Sequence, residues 1–232
     1  RYAYFVVAGI ALFAALMMLG LKPGRPDETK EKLPVSTLMK DGRTAGRKPR
    51  IFLGYLSAVA ARADMAIVTL FLTLWVIQAA SSENLTTAES TARAGMIVGI
   101  AQIAAVFWAP IIGVIGDKID RLNLLIFGFA IAATGYGWVA SLDDVLAPSA
   151  IPALLLMGMG LSSGQLSSTV LLAEASPVEI RGATFGVQAF CGALGILALS
   201  GGGGRLFDAI GPYAPFAAVA LCNGVVLLSA VA

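Results

Sequence analysis

Residues 110–121 read PIIGVIGDKIDR, and the abrupt change within this stretch indicates the fold. A run without any charged residue extends from Gly95 to Gly116, and four charges follow at once in residues 117–121. An α-helix rises 1.5 Å per residue, so about 20 apolar residues cross the ~30 Å hydrocarbon core of a bilayer. The stretch therefore predicts the point where a membrane-spanning helix leaves the bilayer.

The composition of the whole chain agrees with a membrane protein. Hydrophobic residues make up 58% of the 232 residues and charged residues only 13%, whereas about 25% of an average soluble domain is charged. Uncharged runs recur along the chain and predict an all-α fold, a polytopic transmembrane helical bundle with seven spans. The predicted spans are residues 2–21, 52–80, 95–116, 122–141, 149–173, 182–204 and 213–232.

The distribution of basic residues predicts the orientation of these spans. Twelve of the 16 basic residues fall on one side, and nine of them lie in the linker 22–50. Short loops rich in Lys and Arg face the cytoplasm, so we expect this linker to be cytoplasmic. Its polar composition also predicts flexibility and permits contact with anionic membrane lipid.

Several chemistries are excluded by what the sequence lacks. It contains no histidine, and its two cysteines, Cys191 and Cys222, lie inside apolar runs. A disulfide framework, a metal site and a His-dependent catalytic pair are therefore not expected. No phosphate-binding loop or basic nucleic-acid motif is present either. We expect no enzyme activity, no cofactor, no metal and no nucleic-acid partner.

The charged stretch has a specific spacing. Gly113 is followed after three residues by Asp117 and Lys118, and after two more by Arg121. This pattern resembles the loop motif of the major facilitator superfamily, a family of transporters with twelve helices in two halves. Residues 158–182 are similar to the tenth helix and following loop of that family, and residues 203–216 are similar to its last outer turn.

The resemblance implies a domain organisation. Residues 1–21 correspond to the sixth helix, residues 22–50 to the basic cytoplasmic linker between the halves, and residues 51–232 to the C-terminal six-helix half. The chain would thus supply helices six to twelve, and its partners would include helices one to five of the same protein. We expect the sequence to be a piece of a longer transporter.

The motif predicts a conformational latch at the cytoplasmic ends of the helices. We expect Asp117 to cap the N-terminus of a neighbouring helix, and Lys118 and Arg121 to pair with carboxylates. The alternative is that the charges only fix the topology. The predicted latch residues are Gly113, Asp117, Lys118, Arg121, Glu174 and Arg181.

Arg62 and Asp64 are the charged residues inside a predicted span. Arg62 lies 11 residues after Ile51, or ~16 Å along the helix, where a charge is costly unless it faces water or a partner. Residues two apart on a helix point in different directions, so separate partners are expected. The resemblance makes this the seventh helix, which lines the central cavity. Arg62 would bind an anionic solute group and Asp64 a proton; a structural network between the halves is the alternative.

The fifth predicted span carries a polar face. Ser162, Gln165 and Thr169 follow i, i+3 and i+7 and share one side of the helix. Gln165 is the strongest candidate to hydrogen bond a solute, and Gln102 and Gln188 on other spans are weaker ones. The alternative is that the hydroxyl groups bond their own helix backbone.

Together these features predict a secondary active transporter that moves a small solute by alternating access, coupled to ions such as protons. The alternative is a membrane sensor or receptor that retains a transporter fold. We expect an integral membrane protein of a bacterial inner membrane, in contact with lipid and with a small-molecule substrate.

Overall fold

The computed structural model describes residues 2–20 and 34–232, which fall into two compact units divided after Pro34. The first unit contains helix α1, Tyr2–Met18, whose 17 residues are nearly all apolar. Apolar residues occupy all of its faces, as expected for a helix that spans a membrane. The helix is ~26 Å long, somewhat shorter than the predicted span 2–21.

The linker is only partly described. Residues 22–33 of the predicted linker 22–50 lie outside the described residues. Residues Val35–Ala45 form helix α2, so the prediction of flexibility is wrong for this part. A small core holds α2 in place, in which Ala45 is buried with Ile51, Tyr55 and Leu172.

The second unit consists of helices joined by short turns and loops. Six of its helices, counted as continuous spans, are long and apolar enough to cross a membrane. With the shorter α1, they confirm the predicted all-helical membrane fold. The helices are α3 (Pro49–Ile67) and α4 (Thr73–Ser82), joined by the π-helical turn Val68–Leu72 into one span, then α5 (Thr87–Gly116), α6 (Arg121–Ala140), α7 (Ile151–Ala175), α8 (Arg181–Ala209) and α9 (Ala214–Val231).

Side chains at the helix ends set the boundaries. Helix α5 begins at residue 87 rather than at 95, because Thr86 and Glu89 form a reciprocal capping box. The Thr86 amide donates to the Glu89 carboxylate at 2.9 Å. Arg93 then pairs with Glu83 at 3.1 Å, so a charged residue is accommodated in the first turns of the helix. The hydropathy pattern alone placed this start too late.

The π-helical turn Val68–Leu72 lies near the middle of the first long span of this unit. Such turns leave the regular α-helical hydrogen-bond pattern locally and often occur near functional sites. The hydroxyl groups of Thr69 and Thr73 donate to carbonyls four residues earlier, each at 2.8 Å. These bonds supply extra partners for backbone carbonyls beside the irregular turn.

Small residues allow the helices to pack closely. A Cβ atom on Gly135 of α6 would lie 2.7 Å from the Met157 amide nitrogen of α7, and one on Gly160 of α7 would lie 2.5 Å from the Ala132 Cα atom of α6. Helices α6 and α7 are therefore in direct backbone contact, as is common in membrane bundles. Helix α3 packs along α8 and α7, and α9 packs along α6.

The core contains large side chains while much of the outer surface is apolar. Trp75 packs against Phe216 with ring centroids 5.6 Å apart, and Tyr136 is completely buried in the same cluster. In contrast, Phe107 of α5 and Leu197 of α8 are each more than 70% exposed. Exposed apolar side chains on long helices fit a surface that faces lipid.

Candidate functional site

An open cavity of about 220 Å³ lies between α3, α7 and α8. Arg62 of α3 is exposed into it and is its charged residue. Gln165 and Thr169 of α7 line the facing wall, and Gln188 of α8 closes the third side. The structure thus brings together residues that the sequence predicted on separate spans, including Gln188, one of the weaker candidates.

Hydrogen bonds fix the cavity wall. The Gln188 side-chain amide donates to the Ser168 hydroxyl at 3.3 Å, and Ser57 donates to the same hydroxyl at 2.8 Å. The Gln165 amide donates to the Ala61 carbonyl of α3 at 3.2 Å. Side chains from α3, α7 and α8 are therefore tied to one another, which holds the polar groups in a defined position.

Gln165 and Thr169 also border a second, more open groove of about 600 Å³ along α5 and α7. Gln102 and Ser162 line this groove. The Ser162 hydroxyl donates to the Met159 carbonyl at 3.2 Å, and Thr169 donates to the Gln165 carbonyl at 2.8 Å. Because each hydroxyl proton is already used, these two groups can offer a solute only their acceptor lone pairs.

Asp64 does not line this cavity. Its side chain is completely buried, and Asn223 of α9 donates to its two carboxylate oxygens at 3.1 and 3.3 Å. Arg62, two residues earlier, is exposed. The two charges therefore have separate surroundings, as their helical spacing predicted. Within the described chain, the Tyr136 hydroxyl and the Asn223 carbonyl oxygen are buried without a hydrogen-bond partner.

Asn223 was missed by the sequence analysis. It is an amide within an otherwise apolar span, and polar side chains at such positions commonly mark a functional or structural partner. An amide side chain in an apolar helix was the signal that the sequence offered for this residue. The pairing with Asp64 joins residues 159 positions apart, which a single sequence does not reveal.

The charges of the sequence motif form a cluster at the ends of α3, α6 and α7. The Arg121 Nε atom donates to Glu174 at 3.0 Å, which is the predicted contact. Arg50, which the sequence analysis did not select, lies 3.8 Å from Asp120 and 4.0 Å from Glu174. All these helices belong to the same unit, so the contacts do not depend on a second half. Their role as a latch stays a prediction.

The contacts of this cluster differ from the predicted ones at its helix cap and at two basic residues. Asp120, rather than Asp117, caps the neighbouring helix α6 by accepting from the Leu122 amide at 2.9 Å, because Asp117 already ends α5. In the part of the chain that the structure describes, neither Lys118 nor Arg181 forms an ion pair. The motif therefore makes fewer side-chain contacts than expected.

The close approach in the motif occurs at Gly116 rather than at Gly113. A Cβ atom on Gly116 would lie 2.8 Å from the Leu124 side chain, whereas one on Gly113 would meet open space. The Gly116 carbonyl also accepts a hydrogen bond from Arg121. Among residues 2–20 and 34–232, no group of three or more His, Cys, Asp or Glu side chains could hold a metal ion.

Six long apolar helices, an open polar cavity between them and a charged loop motif define a polytopic membrane protein of the transporter type. The family model of the Major Facilitator Superfamily matches residues 1–200. The chain belongs to this family, which confirms the resemblance seen in the sequence.

The chain is also similar to bacterial magnetosome proteins and to the fold of a solved transporter. The chain is 29% identical over 211 residues, 91% of its length, to the magnetosome protein MamZ of Paramagnetospirillum magneticum. It is 28% identical over 73% of its length to the magnetosome protein MamH of the same organism. It spans only 33% and 39% of these relatives. The inward-open xylose transporter XylE from E. coli has the same fold, with a TM-score of 0.56 and 16% identity over 85% of this chain and 47% of that one.

Proposed function

We propose that the protein containing this chain is a secondary active transporter that moves a small solute by alternating access and uses a proton gradient. The chain covers about half of the solved transporter and a third of MamZ. Transport by the whole protein is therefore proposed from the family to which the chain belongs. The observation that carries it is the open cavity in which Arg62 is exposed between three membrane-spanning helices. Family membership points to transport rather than to an enzymatic reaction.

The chemistry of the cavity favours an anionic solute. A guanidinium can bind a carboxylate or phosphate through two parallel hydrogen bonds, and Arg62 is the charged residue of this wall. Gln165 and Gln188 stand beside it as neutral hydrogen-bonding groups. We propose that Arg62 holds the anionic group while the glutamines contact the rest of the solute. The facing wall would come from the other half of the transporter.

Asp64 is the proposed proton site. Ionisable groups inside membrane spans commonly mark ion pathways or proton relays, and Asp64 is a buried carboxylate bonded to a neutral amide. We propose that it gains or loses its proton when alternating access connects it to water. Asn223 would then hold the carboxyl group in place in both states. Because Asp64 lies apart from Arg62, proton and solute would occupy separate sites linked through α3.

We also propose an orientation and a membrane. The excess of Lys and Arg supports a cytoplasmic position for α2 and the start of α3, in a bacterial inner membrane. The cluster of Arg50, Arg121 and Glu174 would then lie at the cytoplasmic end of the bundle. There it would stabilise one conformation of the transport cycle relative to the other.

The test is flux in proteoliposomes that contain the complete protein, with an imposed pH gradient. The solute panel contains organic anions, cationic drugs, D-xylose and myo-inositol. The two sugars are included because a D-xylose–proton symporter shares the fold and a fungal myo-inositol transporter is 31% identical over 44% of this chain. Asp64→Asn and Arg62→Gln are compared with Asp208→Asn and Arg205→Gln, matched changes of exposed residues near the end of α8.

Each variant tests one part of the proposal. Asp64→Asn should abolish accumulation driven by the pH gradient but preserve solute exchange, whereas Asp208→Asn should leave both activities unchanged. Arg62→Gln should raise the KM for an anion by at least tenfold. If both site variants match their controls, the assigned sites are wrong. If the protein binds a solute but moves none, it is a sensor with a transporter fold.

A further inference from the structure

We propose that a groove between α2 and α8 binds an anionic phospholipid, with the phosphate at Lys40 and Arg43 and an acyl chain along Val187 and Phe190. The groove has a volume of about 540 Å³. It is distinct from the cavity around Arg62, since the two share no lining residue. Its use by a lipid goes beyond the transport function and does not depend on which solute is moved.

The groove has defined walls because α2 is attached to the bundle. The Tyr55 hydroxyl of α3 donates to the Gly42 carbonyl of α2 at 2.7 Å. A Cβ atom on Gly42 would lie 2.7 Å from the Ala183 carbonyl oxygen, so the backbones of α2 and α8 touch at this point. Ala45 is buried in the same contact. The position of the basic side chains relative to α8 is therefore set by backbone packing.

The lining combines two chemistries. Lys40 and Arg43 are exposed and, three residues apart, lie on the same side of α2. Ser36, one turn before Lys40, adds a hydroxyl group. The rest of the lining consists of Met39, Val187, Phe190 and Cys191. Arg binds phosphate through a planar pair of donors and Lys adds a point charge. The apolar wall offers no binding group to a free anion.

The depth of the apolar wall matches a lipid rather than a soluble phosphate. Val187 lies six and Phe190 nine residues after the start of α8 at Arg181, or ~9 and ~14 Å along the helix. The headgroup layer on each side of a bilayer is about 5–7 Å thick, so with the start of α8 at the outer edge of this layer these side chains would reach the hydrocarbon. Phe190 is 54% exposed and available for contact. On the proposed orientation, the anionic lipids of the cytoplasmic leaflet supply the ligand.

The experiment titrates the purified, delipidated full-length protein with dioleoyl phosphatidylglycerol and counts bound lipids by native mass spectrometry. Dioleoyl phosphatidylcholine is the neutral comparison. Lys40→Gln combined with Arg43→Gln should weaken binding of the anionic lipid roughly thirtyfold, since two cations near the phosphate are lost. The matched control combines Arg47→Gln with Lys48→Gln, which removes the same charge from exposed residues outside the groove. It should change the affinity less than threefold.

A second variant tests the apolar wall with the charges intact. Val187→Trp fills the groove and should weaken phosphatidylglycerol binding at least tenfold. Equal losses for the two charge pairs would mean diffuse surface attraction and would overturn the groove. Normal binding to Val187→Trp, or displacement of the lipid by millimolar inorganic phosphate, would overturn a lipid as the occupant. Unchanged thermal unfolding of each variant shows that the bundle is intact, and the readout is independent of flux.

Discussion

Replacement of Gly135 by alanine should force apart α6 and α7, which touch through their backbones at this residue. The added Cβ atom would lie 2.7 Å from the Met157 amide nitrogen and 2.8 Å from the Leu156 carbonyl carbon. Carbon atoms in ordinary contact are about 3.5 Å or more apart, so α6 and α7 must separate locally by about 0.8 Å. Both opposing atoms belong to the backbone, and no side-chain rotation can relieve the contact.

The energetic cost follows from two opposing effects. Overpacking of a well-packed contact costs about 1–3 kcal/mol, while Gly→Ala within a helix contributes roughly 0.5–1 kcal/mol in the opposite direction. Gly137→Ala is the matched control, since its Cβ atom would lie 3.9 Å from the Ala220 side chain, an ordinary contact. The two variants should therefore differ by about 1–3 kcal/mol in the free energy of unfolding.

The assay is unfolding of the full-length protein by sodium dodecyl sulfate in mixed micelles, followed by far-UV circular dichroism. Gly135→Ala should unfold at a lower detergent fraction than the wild type, and Gly137→Ala at the same or a higher one. Equal midpoints for the two variants would show that α6 and α7 do not touch through their backbones at Gly135. The packing argument for this helix pair would then fail.

The remaining predictions concern polar contacts. Asn223→Ala should lower the free energy of unfolding by about 1–3 kcal/mol, because the Asp64 carboxylate loses its hydrogen-bond donor. This loss should be smaller when Asp64→Asn is already present, which a double-mutant cycle in mixed micelles can measure. Arg121→Gln should cost less than about 1 kcal/mol because its partner Glu174 is half exposed, yet spin-label distances should show a shift toward the cytoplasm-open form. Tyr55→Phe should speed hydrogen exchange in α2 about fivefold, the equivalent of one lost hydrogen bond; unchanged exchange would mean that this bond does not hold α2.

The architecture was predictable because the bilayer imposes long apolar runs and places charges at their ends. The transition at residues 116–117 marks a true helix end, and the spacing of Arg121 identified both the family and a residue that contacts Glu174. The polar face of Gln165 and Thr169 also lines a cavity as expected. These features follow from local periodicity and from a short motif.

Contacts between distant segments were not predictable. The partner of Asp64 is on the last helix, and the partner of Asp120 is Arg50 at the start of the first long helix of the unit. The sequence analysis predicted Asp117 as the cap of the next helix, whereas Asp117 ends α5 and Asp120 caps α6. Likewise, Gly113 and Gly116 look alike in the sequence, while the position of Leu124 makes only Gly116 a close approach.

The π-helical turn Val68–Leu72 lies in the first long span of the second unit. It changes the direction in which side chains after the turn point, relative to those before it. A π-turn spans one residue more than an α-turn, and one residue corresponds to 100° of rotation in an α-helix. Removal of one residue from this turn would rotate Trp75 away from Phe216 while leaving Arg62 at the cavity. The cavity end and the core end of this span are therefore in register only because of a single extra residue, which makes the helix intolerant of any change in its length there.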